Sequence, residues 1–263
     1  PLAIKFARNV CEAWDEAGSD ALIINTSYSD AVIPWLKSAG KAYPDFGSGN
    51  LNHLIPRMRL AVAERIGARD YWNVDVCFAA GHFHDVCISK EGHAEGVKLP
   101  LKVFYQGEEL EVPDQELYSA CCIPMPTDQT RNMMNASSNY RIVMSIIHTI
   151  RTGDSCRLFI PGFDGEIGGY PVTSEMTDGQ PNIHLDESVF SYEEMYRANR
   201  ESMALDGIED VREGSLVYTD TLLDKAFRAF GVRLPKLVRF EDIDKTAEFI
   251  INEIIIPHTS GLA

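Results

Sequence analysis

The chain has 263 residues, 45% of them hydrophobic and 24% charged, enough to bury one large core or two joined ones. A net charge of -15 excludes a surface of clustered lysine and arginine, so nucleic acid is not an expected partner. No apolar run approaches the roughly 20 residues that cross a bilayer. The six cysteines lack the dense spacing of a secreted disulfide framework, which predicts reduced thiols in the cytoplasm. The start at Pro1, with neither methionine nor signal peptide, predicts a trimmed or truncated N-terminus.

In chain order, Leu2 to Trp14 has apolar residues near helical spacing, and Ala21 to Asn25 reads as a short buried parallel strand. Asp30 to Ala39 predicts a helix that stops at Gly40, and Ala42 to Phe46 a second short strand ending in the turn Gly47 to Asn50. Leu51 to Ile66 carries one apolar stripe, Leu51, Leu54, Ile55, Met58, Val62 and Ile66, and predicts a helix. This order is that of the second half of a doubly wound parallel sheet.

The character changes near residue 73, which divides a partial α/β region (1–73) from an α+β region with closing helices (74–263). Val74 to Ala80 predicts a strand, with Asp85 to Ser89 continuing it. Leu101 to Tyr105 and Leu110 to Val112 flank a hairpin turn. Tyr140 to Ile150 predicts an apolar helix on which Tyr140, Val143, Met144, Ile147 and Ile150 line up. Ser155 to Ile160 is a strand that leads into the glycine-rich stretch Pro161 to Val172. Tyr192 to Leu205, Leu216 to Phe230 and Asp242 to Ile255 complete the chain as helices.

Three constellations have residue types suited to chemistry. Arg57 and Arg59 lie on the helix after the Gly49-Asn50 turn. They are either a solvated face or, for Arg57, a carboxylate clamp near strand ends. Gly81-His82-Phe83-His84-Asp85 puts two histidines two residues apart. On a strand they would share a face and fit a divalent metal, with Cys77 and Cys87 near enough in sequence to complete a zinc site. Equally, His82 alone would serve as an acid/base oriented by Asp85. Gly165-Glu166-Ile167-Gly168-Gly169-Tyr170 looks like a phosphate loop but precedes a strand rather than a helix, so it reads as a sharp strand connection. No G-x-S-x-G elbow or H-E-x-x-H helix is present.

Taken in order, these pieces resemble the lactate/malate dehydrogenase superfamily, which also holds the NAD-dependent family-4 glycoside hydrolases. Ala21 to Val32 resembles the strand and turn of that superfamily, Gly47 to Arg59 its "G-S-G-T-x-L-D-x-x-R" segment, and Ala79 to Asp85 its "G-E-H-G-D" histidine segment. Gly165 to Val172 resembles its late glycine and "S-V-P" strand. The resemblance spans roughly residues 2 to 205.

It implies a lactate/malate dehydrogenase-like substrate domain joined to the partial Rossmann-like region, whose G-x-G-x-x-G half would precede Pro1. It further implies an oxidoreductase moving a hydride between NAD or NADP and a hydroxylated, anionic small molecule. His82 would be the acid/base and Arg57 the carboxylate clamp. Asp85 is the third expected catalytic residue, Asn50, His53 and His84 are expected to bind substrate, and Asn25 and Ser27 to face the cofactor. Where the family carries the aspartate that pairs with its histidine, this chain has Leu54. The other readings are a glycoside hydrolase with a divalent metal at His82 and His84, and a non-enzymatic assembly module reusing the fold. A homo-oligomer is expected, with neither nucleic acid nor membrane as partner.

Overall fold

The computed structural model describes residues 2–49, 51–123 and 130–259; of Thr130 and Arg131 it describes the backbone only. Among these residues it is a mixed helix and sheet architecture with a small parallel sheet and three antiparallel ones.

Helix α1 (Leu2–Glu16) leads into β1 (Ile24–Asn25), α2 (Ser29–Ser38) and β2 (Phe46–Gly47). β1 and β2 pair in parallel, Ile24 opposite Phe46 and Asn25 opposite Gly47. Each strand is only two residues long, Ala21 and Leu22 are exposed rather than buried, and Ala42 to Asp45 is not strand. The expected half of a doubly wound sheet is reduced to this pair among the described residues. Helix α3 (Leu54–Ile66) buries Leu54, Ile55, Met58 and Val62, four of the six residues of its predicted stripe, and ends at Gly67 in the left-handed conformation that glycine adopts without strain. Strand β3 (Val74–Phe78) follows, then helix α4 (His82–Glu91).

Asp85 to Ser89 is therefore not strand. The mixed sequence His82-Phe83-His84-Asp85-Val86-Cys87-Ile88-Ser89-Lys90-Glu91 has no clean period of two or of 3.6. Its helical state is fixed by tertiary burial of His84, Asp85, Cys87, Ile88 and Ser89.

β3 pairs antiparallel with β4 (Leu101–Tyr105), which turns through Gln106-Gly107 into β5 (Glu108–Leu110). Helices α5 (Asp114–Cys121) and α6 (Thr130–Thr152) precede the antiparallel trio β6 (Cys156–Pro161), β7 (Gly169–Thr177) and β8 (Gln180–Leu185). The glycine-rich stretch is the β6–β7 connection, as its order before a strand predicts. On α6 the residues that line up face largely outward: Tyr140 is 65% and Ile150 50% exposed. Ile142 and Ile146 enter the core with β6 and β7, and Ser138 and Thr149 are buried with them. This helix is apolar over more than one face, so periodicity alone does not choose which face packs.

Helix α7 (Tyr192–Leu205) has the predicted bounds and starts at a reciprocal cap between Ser191 and Glu194. The next predicted helix begins later than expected. Ser215–Tyr218 is strand β10, paired with β9 (Ile208–Arg212), and only at Thr219, whose hydroxyl accepts from the Leu222 amide, does α8 (Asp220–Phe230) begin. β11 (Leu237–Arg239) joins the same sheet, and α9 (Ile243–Ile250) continues into a π-helical turn at Ile251–Ile255.

Burial is organised in three clusters. One centres on α3, β3, β4 and α5, and a second on α6 with β6 and β7. The third joins Ile4 of α1 and Val32, Trp35 and Leu36 of α2 to Leu216, Val238 and Ile243. Trp35 pins this last cluster by donating its indole N–H to the Gly214 carbonyl at 3.0 Å.

Candidate active site

β3 carries the chain inward to Ala79 and Ala80, both fully buried, and Gly81 then opens α4. Gly81 is extended (φ -84°), so its glycine is required by space. A Cβ there would lie 2.6 Å from Ser202 Oγ on α7. His82 is the first helical residue. Its backbone N–H, one of the unpaired donors at a helix start, donates to Asp30 Oδ2 at 2.7 Å, so a carboxylate from α2 caps α4 from across the fold.

The His82 ring is held from a third element. Its Nδ1 lies 2.9 Å from Oδ2 of Asp206, the residue that ends α7, and the Tyr28 ring stands 6.0 Å away. The hydrogen bond to Asp206 stabilises the imidazolium and outweighs the desolvation that opposes it. Asp30 and Asp85 add attraction, and together they push the His82 pKa up to about 9. With Nδ1 occupied by Asp206, Nε2 is the nitrogen left for a substrate, and at neutral pH it carries a proton. This is the acid form of a histidine acid/base. Burial raises the Asp30 carboxyl above the ordinary range, with the imidazolium partly opposing that rise.

His82 and Tyr28 stand in the wall between two cavities. The smaller, of 210 Å³, sets the apolar Ala31, Ile167, Met203 and Ile208 beside Asp30, Asn199 and Asp206. The larger, of 350 Å³, is polar and brings together Ser27, His53, Asp85, Ser89 and Lys90 with His82. Asp85 is buried and accepts the Leu51 amide at 3.2 Å. Burial raises its pKa, and His53, His82 and Arg57 attract its charge. Ser89 Oγ is fully buried on this wall and has no hydrogen-bond partner among the described residues.

The predicted residues are thus partly assembled. His82, Asp85, His53 and Ser27 share the larger cavity. Asp85 does not orient the His82 ring as expected, because Asp206 holds Nδ1 and Asp85 is occupied by the Leu51 amide. Asn25 turns its side chain onto its own loop, donating to the Ser27 carbonyl at 3.0 Å and accepting the Ser27 amide at 3.2 Å. Asn50 lies outside the described residues.

Arg57 does not line either cavity wall around His82. Its Nη1 donates to the Cys121 carbonyl at the end of α5 at 2.8 Å, and its buried Nη2 has no hydrogen-bond partner among the described residues. A residue in the second turn of α3 is carried toward α5, so the proposed clamp is directed away. The cationic side chain at the larger cavity beside the histidines is Lys90, which no motif announces.

His84 is also not where a strand would put it. Residues two apart on a helix diverge, and His84 is fully buried against the α7 side, its amide 3.5 Å from Ser202 Oγ. Desolvation lowers its pKa to about 4, so the ring stays neutral. His82 and His84 therefore do not form a metal pair. Cys77, inside β3 with its thiol pushed up to about 12 by burial, does not join Cys87. The compact metal-ligating group among the described residues is Cys87, Glu91, His93 and Glu95, which includes neither His82 nor His84.

A dinucleotide requires a glycine-rich turn from a parallel strand into a helix start. The turn from β1 into α2 is Thr26-Ser27-Tyr28, without glycine. The turn after β2 has Gly47 and Gly49, but Gly47 is packed so that a Cβ would come within 2.0 Å of the Ser29 Cβ. Asn52 stands where a third glycine would be. The described residues do not fit a pyrophosphate cradle.

Of the groups that build the site, Tyr28 follows the first strand with Ser27, where a ligand-facing position is expected, whereas no sequence pattern singles out Asp206, Asp30, Ser89 or Lys90. Asp30 leaves a trace, an acidic residue in the first turn of a helix after a strand. Asp206 leaves only its position beside Gly207 at a helix end, and its contact with His82 spans 124 residues.

The sequence matches no protein-family model and no curated protein. Among solved structures, the chain is similar to the malate dehydrogenase from Aeropyrum pernix, at 14% identity over 77% of this chain and 68% of that one, with a TM-score of 0.46.

Proposed function

We propose that this chain provides the proton-transfer and substrate side of an oxidoreductase that interconverts a hydroxyl and a carbonyl on a small anionic substrate. The observation that carries the reading is the His82–Asp206 pair, held at the first turn of α4 beside a polar cavity of 350 Å³. A substrate carbonyl oxygen beside Nε2 would receive its proton as negative charge develops there, and the neutral imidazole would take that proton back from the hydroxyl in the reverse direction. Asp206 favours the protonated ring in both directions. Lys90 and His53 are the basic side chains on the cavity wall that would attract the substrate anion, locally opposing a chain whose net charge is -15.

The described residues do not cradle a dinucleotide. NAD or NADP remains the proposed redox partner on the sequence resemblance alone. The test is calorimetric binding of a panel of 2-oxo acids and uncharged ketones to the purified protein, which needs no dinucleotide. Acid-selective binding is expected, with His82→Gln and Lys90→Ala each weakening it about tenfold, the worth of one hydrogen bond to a charged group. Binding that does not distinguish acids from ketones, or that survives both substitutions unchanged, overturns the reading.

A further inference from the structure

In the later turns of α4 and the loop after it, four ligating side chains that line neither cavity beside His82 converge. Cys87 and Glu91 are one helical turn apart and so share a face. Gly92 then reverses the chain in the left-handed conformation (φ 72°), and the loop runs outward with Ala94 anchored in the core between His93 and Glu95. Glu95 itself sits at φ 50°, unusual for a residue with a Cβ, and its carboxylate is turned back toward the Cys87 thiol.

The distances have a specific shape. Cys87 Sγ lies 3.6 Å from His93 Nδ1 and 4.0 Å from Glu95 Oε1, and Nδ1 to Oε1 is 3.8 Å. Zinc bonds of about 2.3 Å to sulfur and about 2.0 Å to nitrogen or oxygen, set at the tetrahedral angle, give edges of about 3.3–3.6 Å. The triangle is slightly wider than one face of such a tetrahedron. Behind it, Glu91 Oε2 is 3.2 Å from His93 Nε2. A carboxylate on that nitrogen holds the proton there and leaves the Nδ1 lone pair for a ligand, the arrangement in which a second carboxylate orients a metal-bound histidine. The Glu95 amide also reaches Nδ1, at a long 3.4 Å.

We propose that Cys87, His93 and Glu95 bind a zinc-class divalent cation, with Glu91 orienting His93 and a fourth position open to water. The mixed sulfur, nitrogen and oxygen set favours Zn²⁺ over Mg²⁺ or Ca²⁺, which take oxygen ligands. A nucleophilic thiolate is the competing use of a cysteine beside a histidine. It is disfavoured because two carboxylates, Glu91 and Glu95, stand with the thiol and the histidine, a set that suits a bound cation rather than a free anionic thiolate. On binding, the S–H bond breaks, the sulfur lone pair forms the metal bond and the proton leaves to buffer. The bound ion would clasp the loop from Gly92 to Gly96 onto α4. None of this depends on the function proposed for His82.

The test uses the reduced full chain, titrated with Co²⁺ and followed by thiolate-to-cobalt charge-transfer absorption, then competed with Zn²⁺. Calorimetry in two buffers of different ionisation enthalpy counts the released proton. One cobalt per chain is expected, with the band displaced by Zn²⁺. Cys87→Ser should abolish the band, His93→Ala and Glu95→Gln should each weaken binding at least tenfold, and Glu91→Gln should weaken it about 10–100-fold. Cys122→Ser, at an exposed thiol, should leave it unchanged. No band in the unaltered protein overturns the proposal, as does a band that survives Cys87→Ser. Because Cys87 is buried, His93→Ala at a half-exposed position is the second control. Unchanged cobalt affinity in that folded variant also overturns the site.

Discussion

His82 is a residue whose state is decided by its neighbours. In the folded chain its pKa is about 9 against an ordinary 6.5, so folding favours its protonated form. The stabilisation this brings is fully present below about pH 6.5 and is lost as pH rises through about 9. A ring titration by nuclear magnetic resonance should place the His82 inflection near 9, and Asp206→Asn should move it down toward 6.5. If the proposed activity is present, carbonyl reduction should hold steady across neutral pH and fall above about 9, with that limb moving down in the same variant. An inflection unchanged by Asp206→Asn would show that the hydrogen bond is not the cause. Asp206 stands where no local pattern points, since the sequence offers only the empty place at Leu54. The histidine itself was legible from its glycine and its position after an apolar strand.

The same contrast holds among elements. α7 was legible to its bounds because Ser191 and Glu194 form a cap and the apolar residues keep helical spacing. α4 was not, because its residues are chosen for what surrounds them: carboxylates, a neutral histidine and a thiol, none of which keeps a period. Its position depends on close approach to α7 at Gly81. Gly81→Ala introduces no backbone strain at φ -84°, but its Cβ would meet Ser202 Oγ at 2.6 Å and force the two helices apart. The expected result is a lower melting temperature together with a His82 inflection shifted toward 6.5, since Asp206 ends α7. An unmoved inflection in this variant would mean that the helices do not set the His82–Asp206 distance. α6 shows a different limit: two apolar faces compete, and only the β6–β7 sheet selects Ile142 and Ile146.

For the whole molecule, the core that joins α1 and α2 to β10, β11 and α9 places the last helices in the structure of the first. The periodicity of Ile243, Ala247 and Ile250 was readable as a helix, but its packing partner lies more than 200 residues away. Ile243 is fully buried in that cluster, so Ile243→Ala should cost about 2–5 kcal/mol in chemical denaturation, the range for a truncated core isoleucine. Ile256→Ala, at a residue 52% exposed, should stay within about 0.5 kcal/mol. Equal losses at the two positions would argue against this core. Local signals locate the β1–β2 pair and the β4–β5 hairpin but not their bounds, since β1 and β2 shrink to two residues each and β5 is Glu108–Leu110 rather than Leu110 to Val112. The three-cluster arrangement depends on contacts that no window of sequence contains.

α4 has one further mechanical consequence. A helix of ten residues is about 15 Å long and behaves as a rod on this scale, so its two ends cannot turn independently. His82 is set on its first turn, and Cys87 and Glu91 on its later ones. Whatever grips the far end fixes the azimuth of the near one. A twist of about ten degrees would swing a ring several ångströms off the axis by about 1 Å, a displacement of the size that costs a reaction about a hundredfold. The loop beyond Glu91 would therefore act on His82 through torque, without touching it.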